Sequence, residues 1–118
     1  MIAIVDDDKA TREATEKFVR SIGYRASTFA SAAAFLESEH IHHTSCLITD
    51  LHMPGLSGLD LQDRLIDRGQ RIPVIFVTGR PEEYARRRSK KAGAICFLCK
   101  PYDHDELINC LDKALKAA

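Results

Sequence analysis

The stretch Cys46-Leu47-Ile48-Thr49-Asp50-Leu51-His52-Met53-Pro54-Gly55 limits the possible folds of this chain more than any other. A mostly apolar run of strand-forming residues, closed by Pro54, Gly55 and Gly58, reads as a strand buried on both faces. Strands of that kind belong to parallel sheets covered by helices. A carboxylate at the carboxyl end of such a strand stands where open α/β sheets place their chemistry. Asp50 is therefore the first candidate functional residue.

Four other segments read as strands. Residues 2–5 end in Asp6-Asp7-Asp8, and residues 24–29 form the second strand. Residues 73–77, rich in β-branched side chains, end in Thr78-Gly79, and residues 94–98 lead into Lys100-Pro101. Helical spacing fills the intervals. A helix over 9–22 turns Ala14, Phe18, Val19 and Ile22 inward and stops at Gly23. A short one over 32–38 has Ser31 as N-cap. Another over 59–68 buries Leu59, Leu61, Leu65 and Ile66 and stops at Gly69. The fourth, 81–92, takes Pro81 as its first residue. The last begins at a capping-box spacing, Asp103 with Glu106, and runs to about Ala117 with Leu107, Ile108, Leu111 and Leu115 inward.

Five strands alternating with five helices predict one α/β domain over residues 1–118. The sheet is single, doubly wound, five-stranded and parallel, of order 2-1-3-4-5, in a flavodoxin-like three-layer sandwich. That order puts a crevice at the carboxyl ends of the first and third strands. Asp6, Asp7, Asp8, Asp50, Thr78 and Lys100 converge on that edge.

Lys plus Arg and Asp plus Glu both total 17, so composition supplies no basic field for nucleic acid or a membrane surface. No apolar run approaches the roughly 18 residues of a membrane span, and no signal peptide opens the chain. The expectation is a cytoplasmic domain. Met1 opens directly onto strand residues and the chain stops just after its last helix, which leaves open that it is a fragment. The four cysteines (Cys46, Cys96, Cys99, Cys110) do not suggest a disulfide framework. Cys96 and Cys99 match C-x-x-C, but in a strand these positions point to opposite faces, so buried free thiols are expected. His40, His42 and His43 read as solvated loop residues rather than as a metal site.

Carboxylates gathered within a few ångströms repel by roughly 4 kcal/mol per pair at an effective dielectric near 20. They must protonate or hold a cation. All-oxygen ligands suit Mg²⁺, which often shares a phosphate oxygen. A lysine and a threonine hydroxyl beside that ion would cover the oxygens of a phosphoryl group. The combination points to phosphoryl transfer onto an aspartate.

Val5-Asp6-Asp7-Asp8, Asp50-Leu51-His52-Met53-Pro54-Gly55-Leu56-Ser57-Gly58, Val77-Thr78-Gly79 and Lys100-Pro101 together resemble the receiver domain of two-component response regulators. The resemblance spans essentially the whole chain, and extends most to receivers that control a helix-turn-helix DNA-binding domain. It implies that Asp50 accepts phosphate from a sensor histidine kinase or phosphotransfer protein. It implies Mg²⁺ held by Asp7, Asp50 and the backbone carbonyl of His52, with Asp6 acting through water. Lys100 would bind the phosphoryl group, the Thr78 hydroxyl would move toward it, and Phe97 would be the switch aromatic. Lys100-Pro101 would be cis, and His52 and Arg80 would affect phosphate lifetime. Such a domain is no turnover enzyme, but an acceptor that assists its own phosphorylation and dephosphorylation. DNA would be met only through a separate output domain. The fourth helix is nearly all charged, so Tyr84, Ala85 and Ala92 offer it little apolar anchoring. Its basic residues Arg86, Arg87 and Lys90 would meet Asp105 and Asp112 of a second copy or other partner on phosphorylation.

Three readings compete. A haloacid-dehalogenase-like phosphatase would use Asp6 of Asp6-Asp7-Asp8 as nucleophile and Asp50 as a metal ligand. The chain is short for that family, and Ala10 stands at the position after the motif where a hydrophobic residue or threonine belongs. A flavodoxin-like cofactor carrier would need a Ser/Thr/Gly-rich loop after the first strand, which is missing. A docking module that has lost phosphorylation is opposed by the complete set of site residues.

Overall fold

Alternate residues of each strand enter different cores, and this builds the layers. In the computed structural model, which describes residues 1–116, Ile2, Ile4, Ile48, Ile75 and Val77 pack on one side of the sheet with Leu107 and Leu111. Ala3, Val5, Leu47 and Phe76 pack on the other with Phe35, Leu61 and Leu65. The strands are β1 (Ile2–Val5), β2 (Ala26–Phe29), β3 (Cys46–Asp50), β4 (Val74–Thr78) and β5 (Cys96–Cys99). They form one parallel sheet of order β2-β1-β3-β4-β5, as expected. The helices are α1 (Lys9–Ser21), α2 (Ala32–Leu36), α3 (Gly58–Asp67), α4 (Glu83–Lys91) and α5 (His104–Lys116). The register pairs Val5 with Thr49, Asp50 with Val77, and Thr78 with Cys99. The chemical residues of four strands therefore end on one edge.

Several boundaries differ from the sequence reading, each for a local reason. Gly23 and Gly93 adopt φ of 100° and 97°, the left-handed conformation that glycine tolerates. The next residue then donates back into the helix, Tyr24 N to Val19 O and Ala94 N to Ser89 O, a Schellman closure. Tyr24 and Ala94 thus cap helices, and β2 and β5 begin two residues later than expected. Pro81 lies outside α4, whose extended N-cap is Glu82. Residues 39–43, expected as loop, form a 3₁₀ helix capped by Ser38. Ser31 caps α2 as expected. The reciprocal capping box is at Ser57 and Asp60, whereas at α5 the backbone carbonyl of Asp103 receives the Glu106 and Leu107 amides. The expected end of α5 at Ala117 lies outside the described residues.

Helix phases also shift. Thr15 rather than Ala14 faces inward on α1, its hydroxyl bonded to Thr11 O at 2.9 Å. Ile66 is 52% exposed, and Gln62 takes a buried place on α3, donating to Ser89 O of α4 at 3.1 Å. Cys110 and Ala114 share the inner face of α5 with Leu107 and Leu111, while Ile108 and Leu115 are half-buried. The expectation of four free thiols is corrected: Cys96 and Cys110 form a disulfide between β5 and α5. Cys46 is free and buried, and Cys99 is free but exposed.

Candidate functional site

Asp6 follows β1 and is 3% exposed. Burial, foremost, pushes its carboxyl above the ordinary aspartate range, opposed by the Asp8 amide and the Lys100 charge. The Asp8 amide donates to Asp6 Oδ1 at 2.9 Å, and the Arg12 guanidinium holds the Asp6 carbonyl at 2.8 Å. Asp7 is exposed beside it. Asp50 closes β3, its Oδ1 receiving the His52 amide at 3.2 Å. Carboxylate oxygens of Asp6, Asp7 and Asp50 all lie within 4.8 Å of one another.

Lys100 follows β5, and its Nζ stands 3.3 Å from Asp6 Oδ2 and 3.2 Å from Asp50 Oδ2. Burial pulls the lysine pKa down, but the charges and hydrogen bonds of Asp6 and Asp50 outweigh it and leave the ammonium above its usual range. The Lys100–Pro101 bond is cis, as the resemblance to receiver domains implied. Three carboxylates against one ammonium leave a net double negative charge. Hard oxygen donors so close together fit a divalent cation such as Mg²⁺.

Thr78 ends β4 but is fully buried, and its hydroxyl accepts the Arg80 amide at 3.1 Å. Its carbonyl takes the Lys100 amide at 2.7 Å, joining the two site strands. Phe97 is half-buried, with its ring 6.3 Å from that of Phe76. The structure thus gathers Asp6, Asp7, Asp50 and Lys100, and sets Thr78 and Phe97 on the neighbouring strands. His52 lies beside Asp50, but its ring Nε2 reaches Glu82 Oε1 at 3.0 Å and Arg80 O at 3.3 Å.

Gly58 brings α3 against this edge. Its amide donates to Leu51 O at 2.9 Å, and a Cβ there would overlap the Asp50 carbonyl oxygen and lie 3.0 Å from the Phe76 ring. Sequence reading missed Arg12, Glu82 and this contact of Gly58. Arg12 and Glu82 follow their strands in loop or helix-start positions whose reach is set by backbone geometry rather than by spacing. The phosphatase reading would make Asp6 the nucleophile, yet Asp6 is 3% exposed.

Comparisons with known proteins identify the family. Residues 2–112 match the family model described as the response regulator receiver domain. Response regulator protein TmoT of Ectopseudomonas mendocina is 44% identical over 118 residues, covering 100% of this chain and 54% of that protein. Response regulator protein TodT of Pseudomonas putida is 42% identical over 118 residues, covering 100% of this chain and 52% of that protein. The chain spans about half the length of these curated relatives. The crystal structure of FixJ-N superposes with a TM-score of 0.89 at 30% identity, covering 99% of this chain and 94% of that one. Family model, relatives and fold agree, and the phosphatase reading is not favoured: the chain belongs to the response regulator receiver domains.

Proposed function

We propose that this domain accepts a phosphoryl group on Asp50, with Mg²⁺, from the phosphohistidine of a sensor kinase or phosphotransfer protein. The observation that carries the reading is Lys100 Nζ standing 3.2 Å from Asp50 and 3.3 Å from Asp6 within the three-carboxylate cluster. Asp7, Asp50 and the His52 carbonyl would hold the ion, with Asp6 acting through water. Bound there, Mg²⁺ would neutralise the carboxylates and polarise the phosphoryl oxygens. An Asp50 oxygen attacks phosphorus while the bond to the donor breaks, and Lys100 turns from its carboxylate partners to the incoming oxygens.

Phosphate on Asp50 then draws in the Thr78 hydroxyl, releasing the Arg80 amide, and Phe97 takes the space vacated. That movement shifts the face made by α4, β5 and α5, which controls a separate output domain acting on transcription in the cytoplasm. The domain is an acceptor that assists its own phosphorylation and dephosphorylation. The test is incubation with acetyl phosphate, followed by intact-mass measurement. Wild-type protein should gain one phosphoryl group only with divalent metal, and Asp50→Asn should gain none. Stoichiometric labelling of folded Asp50→Asn would overturn the assignment.

A further inference from the structure

The Cys96–Cys110 bridge joins the edge strand of the sheet to the last helix, with Cα atoms 6.0 Å apart, an ordinary disulfide span. The two cysteines differ in burial. Cys110 is 4% exposed within the core beneath α5. Cys96 is half-buried on the edge strand, on the α5 side of the sheet. A reagent entering from solvent therefore meets Cys96, backed by a buried partner.

We propose that Cys96 and Cys110 form a reversible thiol–disulfide modification site, exchanging with a low-molecular-weight disulfide such as glutathione disulfide, and that the closed bridge clamps β5 to α5. Disulfides in reducing compartments are mostly transient or redox-sensing, and the fold here needs no staple, since two continuous cores already cover both sheet faces.

The exchange balances without another reactant. The Cys96 thiolate attacks one sulfur of glutathione disulfide, whose S–S bond breaks, and one glutathione leaves with the Cys96 proton. The deprotonated Cys110 then attacks Cys96 Sγ, displacing the second glutathione, which takes the Cys110 proton. Two protein thiols are oxidised to one disulfide, and one glutathione disulfide is reduced to two thiols; reduction runs the same steps backward.

The other cysteines serve as internal controls. Cys46 is fully buried, and burial pushes its thiol up to about 12, so it stays inert. Cys99 is exposed, but it lies three positions from Cys96 on the opposite face of the strand. It would stop at a glutathione adduct. The bridge lies one residue from Phe97, whose ring packs on Phe76. Closing it fixes β5 against α5, whereas α4 is held separately, with Ala85 and Ser89 buried.

The test equilibrates the 118-residue protein in glutathione buffers of graded oxidised-to-reduced ratio, followed by acid quench, alkylation and peptide mass spectrometry. Hydrogen exchange is measured at both extremes. The Cys96–Cys110 link should pass from absent to complete across the series and reverse on return. Cys110→Ala should accumulate glutathione on Cys96, Cys96→Ala should leave Cys110 unmodified, and α5 amides should exchange several-fold more slowly in the linked form. A pair fixed in one state across the series, first modification at Cys110, or α5 exchange indifferent to the link would each overturn the proposal. Wild-type protein alone decides reversibility and clamping, so a poorly folded variant does not blunt the result. No phosphodonor is present, so the outcome is independent of the chemistry at Asp50.

Discussion

Asp6 shows what a single side chain costs this domain. Its carboxyl is buried and stands above the ordinary range chiefly for that reason, so the ionised form works against folding until a cation compensates it. A group with a raised folded pKa favours folding below its unfolded value near 4 and loses that contribution as pH rises through the folded value. In metal-free buffer at neutral pH, Asp6→Asn should raise the melting midpoint by about 2–4 °C, equivalent to roughly 0.5–1 kcal/mol in a domain this size. The advantage should fade as pH falls toward 4. A melting series against pH checks both parts, and an unchanged or lower midpoint at neutral pH would contradict them. Lys100 is the counterpart. Lys100→Ala should fold and accept some phosphate, but its hydrogen-exchange pattern should respond weakly to beryllofluoride, since the ammonium that bridges Asp6 and Asp50 is gone.

Among the elements, α4 is the one whose anchoring the sequence left most obscure. Its few apolar residues were expected to anchor it little, and Tyr84 is indeed 67% exposed. The helix rests on Ala85 and Ser89, on the Gln62 side chain bonded to Ser89 O, and on the ion pair of Arg88 with Asp63. Gln62→Ala should therefore cost roughly 1–2 kcal/mol and speed amide exchange in residues 83–91 more than in α1, as urea unfolding and hydrogen exchange would register. At the start of α3, Ser57→Ala removes one half of the capping box and should cost about 1 kcal/mol. Strand order and the placement of Asp50 were legible because an apolar run ending in a carboxylate has few alternatives in a parallel sheet. Gln62, the phase of Thr15 against Ala14, and the Cys96–Cys110 pair were not legible. Each depends on which residue of a neighbouring element lies opposite, and periodicity within one segment carries no such information.

For the whole molecule, the fold concentrates negative charge at one sheet edge and positive charge on α4, although formal net charge is zero. Arg86, Arg87 and Lys90 are exposed on α4, and Asp105 and Asp112 are exposed on α5. Phosphorylation should promote self-association or partner docking through the α4–β5–α5 face, and salt should weaken it as it screens surface ion pairs. Sedimentation with and without beryllofluoride, at low and high salt, measures this. A strict monomer whose exchange over residues 80–98 ignores the phosphoryl mimic would contradict it. The central claim is that Asp50, and no other carboxylate of the cluster, carries the phosphoryl group. Borohydride reduction of protein treated with acetyl phosphate and Mg²⁺ converts an aspartyl phosphate to homoserine, which peptide sequencing by mass spectrometry then locates. The account predicts homoserine at position 50 alone; homoserine at position 6 or 7 would contradict it.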